Sequence, residues 1–176
     1  RLAERQRMVS EQIAARGVTD ARVLDAMCRV PRHRFVPLSL QAAAYFDEAL
    51  GLGPEQSISQ PYIVARMLAA LQLLPGERVL DVGTGSGYQA ALLADLGAEV
   101  ITIERDAGLV ATATAALRDA GYPQVHVLHG DGTLGWSDAA PYDAIIVTAA
   151  APDVPEPLTV QLAEGVPFVE HEARAD

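Results

Sequence analysis

The chain of 176 residues contains no lysine and no asparagine, and all 13 of its basic residues are arginine. These are outnumbered by 23 acids, giving a formal charge of −10. A molecule of that sign repels a phosphate backbone, so nucleic acid is not an expected partner. A GC-rich coding sequence accounts for the arginine and alanine bias. Cysteine is almost missing too: a lone Cys28 excludes an internal disulfide framework and fits a reducing cytosol. No apolar run approaches the roughly 18 residues of a membrane span, and no signal-peptide pattern opens the chain. Neither a membrane nor export is therefore expected, and the expected location is cytoplasmic.

What is present suits one domain with a sizeable core, expected to act as a monomer. Half of the residues are apolar and 20% are charged, with a mean hydropathy of +0.15. Charge is uneven along the chain. Residues 1–34 carry eight arginines against four acids, and residues 35–176 carry five against nineteen. The basic part reads as two helices. Leu2, Met8, Val9 and Ile13 share one face of the first, which Gly17 ends; Thr19 or Asp20 caps the second, which stops at Val30-Pro31. A solvated arginine face packed on an acidic domain is preferred over an RNA-binding or membrane-binding helix. Residues 35–58 read as irregular, broken by Pro37, Gly51, Gly53 and Pro54. Ser59 is then the expected N-cap of a helix running to Leu74.

From Arg78 the pattern alternates between strands and helices. Strands are expected at Arg78–Val82, Glu99–Glu104, Val125–His129 and Tyr142–Thr148, with a fifth at Val166–Val169 weakened by Pro167. Helices are expected over 87–96, 107–120 and 156–163. Buried strands joined by helices imply an α/β fold with a doubly wound parallel sheet, whose ligands sit at the carboxyl ends of the strands.

The loop Asp81-Val82-Gly83-Thr84-Gly85-Ser86-Gly87 joins the first of these strands to its helix. Three glycines permit a sharp turn and close approach of a ligand to the backbone. Its third glycine comes one residue earlier than in the dinucleotide pattern, and Asp81 is a poor neighbour for a pyrophosphate. Asp81, Glu104 and Asp131 all fall at strand ends, a set that attracts a cation carrying hydrogen-bond donors. S-adenosylmethionine is such a cation. Glu104 lies 21 residues after Gly83, where a carboxylate can accept both ribose hydroxyls.

The D-x-G-x-G-x-G loop, the acid closing the second strand and Gly130-Asp131-Gly132 resemble class I methyltransferases. Longer strings resemble the protein-L-isoaspartate O-methyltransferase family: Val30-Pro31-Arg32-His33-Arg34-Phe35-Val36-Pro37, Ser57-Ile58-Ser59-Gln60-Pro61-Tyr62, Gly83 to Gln89, and Asp143 through Val147-Thr148-Ala149-Ala150-Ala151-Pro152. The likeness covers about residues 7–165. It implies a Rossmann-like methyltransferase sheet with an N-terminal helical extension, divided as residues 1–58, a core at 59–170 and a charged tail at 171–176. It also implies methyl transfer from S-adenosylmethionine to the α-carboxylate of isoaspartyl residues in damaged proteins and peptides, with S-adenosylhomocysteine as product. Ser59 matches the family's active-site serine, and Ile58, Ser59, Gln60 and Pro61 match the loop over cofactor and substrate. Asp81, Gly83, Thr84, Gly85, Ser86, Gly87, Glu104, Arg105, Asp131, Gly132 and Thr148 are the expected cofactor residues.

A carboxylate acceptor with a pKa of about 3.5–4 is already ionised at neutral pH and needs no general base. His33, His126, His129 and His171 are therefore not required as catalysts, and their scatter has no metal spacing. An exocyclic-amine methyltransferase would carry Asn/Asp-Pro-Pro-aromatic where Thr148-Ala149-Ala150-Ala151-Pro152 stands. A dehydrogenase is disfavoured by Asp81. After Gly165 the likeness stops, where the family continues into a further helix and two antiparallel strands. The expectation is that these last strands are missing, through truncation or a frame change, leaving an exposed sheet edge. Cofactor binding should then survive better than turnover. The alternative reading is thus a cofactor- or peptide-binding module with weak or no turnover.

Overall fold

The computed structural model describes residues 1–53, 56–148 and 154–170. Helix α1 (Leu2–Arg7) continues through a π-helical turn at Met8–Ile13 and a 3-10 turn at Ala14–Arg16, and Gly17 closes it at φ +93°. Helix α2 (Ala21–Arg29) is capped by Asp20, whose carboxylate accepts from the amides of Arg22 and Val23, and it ends before Val30-Pro31. Arg32–Phe35 and Leu38–Leu40 form 3-10 turns. The segment expected to be irregular also holds a small antiparallel hairpin of β1 (Leu50–Gly53) and β2 (Gln56–Ile58).

Helix α3 spans Pro61–Leu71, shorter at both ends than expected. Its N-cap is Gln60, with no side-chain cap, and proline at the first position supplies the preset backbone instead. Ser59 thus stands one residue outside the helix, which corrects its reading as a cap. The helix stops at Gln72, which turns left-handed at φ 51°.

The sheet then follows: β3 (Arg78–Val82), α4 (Tyr88–Asp95), β4 (Glu99–Glu104), α5 (Ala107–Ala120), β5 (His126–His129), β6 (Ala144–Val147), α6 (Glu156–Thr159) and β7 (Phe168–Glu170). The strands lie in the order β5-β4-β3-β6-β7, all parallel. β7 begins just after Pro167, whose carbonyl still accepts from the Ile145 amide at 3.3 Å. α6 is a single turn, less than expected because Thr159 and the following residues close into a turn with an isolated bridge at Tyr142 and Leu162. The charged tail at 171–176 and the Ala149–Pro152 string lie outside the described residues.

Each strand places alternate residues on opposite faces of the sheet. Val79, Val100, Ala144 and Ile146 meet the side covered by α2, α3, α4 and α5. Leu80, Val82, Ile101, Ile103, Ile145 and Val147 meet Tyr142 and Leu158 on the other. The N-terminal helices belong to the first core: Met8, Ile13, Val23, Ala26 and Met27 are buried with α3 and α4. Arg29 of α2 reaches outward from it to pair with Asp95 on α4 at 2.7 Å, and Arg34 of the following 3-10 turn donates to the Asp119 carbonyl on α5 at 3.0 Å. Among the described residues no helix is long and apolar enough to cross a membrane.

Candidate active site

The glycine loop leaves β3 and lies at the point where the sheet order reverses, since β3 is flanked by β4 on one side and β6 on the other. A crevice forms at such a position. Gly83, Gly85 and Gly87 all have positive φ, at +96°, +52° and +85°, a backbone that side-chain-bearing residues rarely adopt. The loop spends its own amides internally. Gly83 and Thr84 donate to the Ile103 carbonyl at 2.9 and 3.2 Å, Gly87 donates to the Thr84 carbonyl at 2.8 Å, and Gly85 donates to Glu104 Oε2 at 2.9 Å. A loop whose amides are so engaged is a poor phosphate cradle, which weighs against a pyrophosphate ligand.

A cavity of about 870 Å³ opens above this loop. It is lined by Gly83, Thr84, Gly85 and Ser86, by Glu104 and Arg105 after β4, by Asp131 and Gly132 after β5, and by Thr148 after β6. Ile58, Ser59 and Gln60 line it as well. Most of the residues singled out from the sequence therefore meet around one space.

Three do not. Pro61 is buried as the first residue of α3. Gly87 serves helix packing: a Cβ there would come within 3.2 Å of Leu117 on α5. Asp81 is the main correction. By strand alternation it points with Val79 into the face covered by α4, and it has no exposed surface. Its Oδ2 accepts from Thr102 Oγ1 at 2.8 Å and its Oδ1 from Gln89 Nε2 at 2.9 Å. The Thr102 proton being used on Asp81, Thr84 Oγ1 donates to Thr102 Oγ1 at 2.6 Å. Asp81 thus anchors the loop from beneath and does not face the cavity. Burial pushes its pKa up to about 6 against the pull of those two bonds, and Glu104 adds to the rise.

The remaining polar groups have defined roles. Glu104 is nearly buried; besides the Gly85 amide, Asp106 N–H donates to its Oε1 at 3.0 Å. Each of its oxygens retains acceptor capacity. Thr148 Oγ1 lies 3.1 and 2.9 Å from the Val82 and Gly83 carbonyls and donates to them, so it staples β6 to the loop. Asp131 Oδ1 accepts from the amide and hydroxyl of Thr133 at 3.0 and 2.7 Å, which hold its pKa below the ordinary value. Gly132 lets this turn approach β3, since a Cβ there would stand 2.5 Å from Val82 Cγ1. The Ser59 hydroxyl makes no hydrogen bond among the described residues; its carbonyl accepts from Arg32 Nη2 at 2.9 Å. Asp47, Glu48 and Gln56, which carry no signal in the sequence, bring the hairpin region to the cavity wall, joined by Ser57 of the Ser57–Tyr62 string and by Tyr88 and Gln89. The last two stood inside the Gly83–Gln89 string; the hairpin's own signal was only the short apolar alternation of Leu50 and Leu52.

These residues fit S-adenosylmethionine on two observations: a left-handed glycine loop whose backbone lines the cavity, and a carboxylate after β4 with acceptor capacity beside it. Fold and cleft define a methyltransferase of the S-adenosylmethionine-dependent class. More narrowly, the chain belongs to the protein-L-isoaspartate(D-aspartate) O-methyltransferase family, whose model matches residues 3–170. A protein-L-isoaspartate O-methyltransferase of Methanoregula boonei is 55% identical over 161 residues, spanning 92% of this chain and 74% of that protein. A solved protein-L-isoaspartate O-methyltransferase superposes with a TM-score of 0.81 at 30% identity, over 93% of this chain and 55% of the solved one, so this chain spans about half of it. A Plasmodium falciparum structure described as a protein-L-isoaspartate O-methyltransferase in complex with S-adenosyl-L-homocysteine also gives 0.81, at 25% identity over 96% of this chain and 85% of that one.

The buried carboxyl of Asp81 makes stability depend on pH. Its folded pKa lies above its unfolded value, so the folded state holds the proton more tightly. Its contribution is therefore most favourable below the unfolded pKa, declines as pH rises from about 4 to about 6, and is level above that. Denaturant unfolding of wild type and Asp81→Asn across this range should show the wild type losing about 3 kcal/mol relative to the variant. A difference that stays flat with pH would mean that Asp81 titrates as an ordinary carboxyl.

Proposed function

We propose that this chain transfers a methyl group from S-adenosylmethionine to the α-carboxylate of L-isoaspartyl residues in damaged proteins and peptides. The observation carrying this reading is that the Ile58–Gln60 segment and the glycine loop line the same cavity. When bound, the cofactor supplies an electrophilic methyl group on a sulfonium. Glu104 and Asp131 would hold its ribose and adenine ends, with the Gly83–Ser86 backbone along it. Gly87 and Asp81 act behind the loop instead.

The chain's own work on the acceptor is to place it. The acceptor carboxylate is ionised at neutral pH, so no side chain has to remove a proton from it. Ser59 can donate its hydroxyl to one carboxylate oxygen, which leaves the other aimed across the cavity. The first turn of α3 reinforces this, because a helix N-terminus favours an anion and Ile63 of that turn lines the cavity. Approach of an anion to a cation cancels both charges, so alignment in a site shielded from water carries most of the rate. A net charge of −10 disfavours polyanionic partners, and Cys28 as the sole cysteine is compatible with action in the cytosol.

Titration calorimetry with S-adenosylhomocysteine, run beside methyl transfer to paired isoaspartyl and aspartyl peptides, tests the whole reading. Transfer to the isoaspartyl peptide alone is expected. Transfer to both removes the repair assignment, and binding without transfer supports a cofactor-binding module. Within the same assays Ser59→Ala should lower kcat/KM for the isoaspartyl peptide by about tenfold or more while leaving the Kd for S-adenosylhomocysteine nearly unchanged. Glu104→Ala should do the reverse first, raising that Kd by about tenfold or more. An unchanged Kd would remove Glu104 from the cofactor site.

A further inference from the structure

Among the described residues Arg32 stands out as a large, charged side chain with no exposed surface. Burying a guanidinium costs several kcal/mol unless a counter-charge and hydrogen bonds compensate. Among the described residues no carboxylate pairs with it. It bonds to backbone instead: Nε donates to the Ala44 carbonyl at 2.8 Å and Nη2 to the Ser59 carbonyl at 2.9 Å. Nη1 has no acceptor among the described residues. The guanidinium carbon lies 5.0 Å from the centroid of the Tyr88 ring, within cation–π range. Tyr88 is the first residue of α4, immediately after the glycine loop, and lines the cavity. Its ring also leans on Phe35, with centroids 5.7 Å apart.

A site selected only for stability is served as well by an apolar residue of similar volume. Here the unmatched charge sits where it touches both halves of the cleft, the Ser59 segment through a carbonyl and the loop end through a ring. The neighbouring support for that segment is weaker in charge: Gln60 Nε2 donates to the Asp47 carbonyl at 2.9 Å. A planar fork can serve two carbonyls and stack on a ring at once, whereas an ammonium serves one point. We propose that Arg32 is a positioning residue for methyl transfer, fixing the Ser59 backbone at a set distance from the glycine loop. The proposal rests on the activity proposed above and adds a residue outside the cavity lining to it.

The test uses Arg32→Met and Arg32→Lys in the full chain, with two readouts beside wild type. The first is hydrogen exchange. Arg32→Met should speed exchange in the segment 57–60 by about tenfold or more, and leave β3 and β4 near wild type. The second is kinetic. The KM for an isoaspartyl peptide should rise and its kcat fall, together lowering kcat/KM about tenfold or more, while the KM for S-adenosylmethionine stays within about twofold. Arg32→Lys should lie between wild type and Arg32→Met in both readouts. A purely structural role would lower the active fraction without raising the peptide KM. Unchanged exchange at 57–60, faster exchange throughout the chain, loosening with no change in peptide KM, or failure of both variants to fold each overturns the proposal. If wild type itself transfers nothing, the activity reading fails, and the exchange pattern still decides whether Arg32 holds the Ser59 segment.

Discussion

The cleft depends on one buried carboxyl group. Asp81 lies one residue before the end of the central strand, and the chain of bonds from Thr84 through Thr102 to Asp81, joined by Gln89, ties the glycine loop to β3, β4 and α4 together. Each of these groups is buried, so an unmet bond would carry the full desolvation cost. The loop's glycines contribute no side chains and adopt left-handed backbone, so its shape rests on these bonds together with its amide bonds to Ile103 and Glu104 and the Thr148 staple. With the loop fixed, the Gly85 amide is aimed at Glu104, and Glu104 is held in place after β4. The orientation of the acid proposed to face the cofactor thus follows from an acid buried beneath the loop.

The first sixty residues complete the cleft. Met8, Ile13 and Met27 share a core with α3 and α4, so the N-terminal helices are continuous with the sheet layer they cover. Through them the 3-10 turn at Arg32–Phe35 is pressed against the start of α4, and the segment 44–47 against the Ser59 approach. Surface ion pairs such as Arg29 with Asp95 contribute about 0–1 kcal/mol each and guide the fit more than they hold it. Apolar burial supplies the attachment, and Arg32 supplies the alignment.

Periodicity made the parallel sheet legible, because strands such as Ala144–Val147 are buried on both faces and carry continuous apolar text. Glycine spacing and the acids at strand ends located the cavity. Residue-level direction was harder to read. Asp81 stands at a strand end, which suggests a ligand, but the pleat turns it toward α4 and away from the cavity. Ser59 has the chemistry of an N-cap, but Pro61 sets the helix start one residue beyond Gln60 and leaves the serine hydroxyl unengaged. The β1–β2 hairpin was hidden by its shortness and its glycines. Arg32 was visible only as part of a family string, since nothing in its neighbours along the chain signals that a charged residue is fully buried without an acid.

The corrected place of Asp81 also changes the electrostatics of the proposed reaction. Three carboxylates facing the cavity would attract a sulfonium but repel an anionic acceptor. Asp81 instead sits beneath the loop, its pKa raised to about 6 by burial. Glu104 and Asp131 stay on the side of β4 and β5, and each accepts backbone amide hydrogens that draw off part of its field. Elsewhere on the wall Asp47 is paired with Arg16, and the Ser59 segment precedes the positive end of α3. The wall thus offers carboxylates to a cation at Glu104 and Asp131 and a helix start to an anion at α3, with Arg105 and Glu48 also lining it. In the proposed reaction the opposite charges need only be held together in this cleft, because the acceptor carboxylate does not have to be deprotonated.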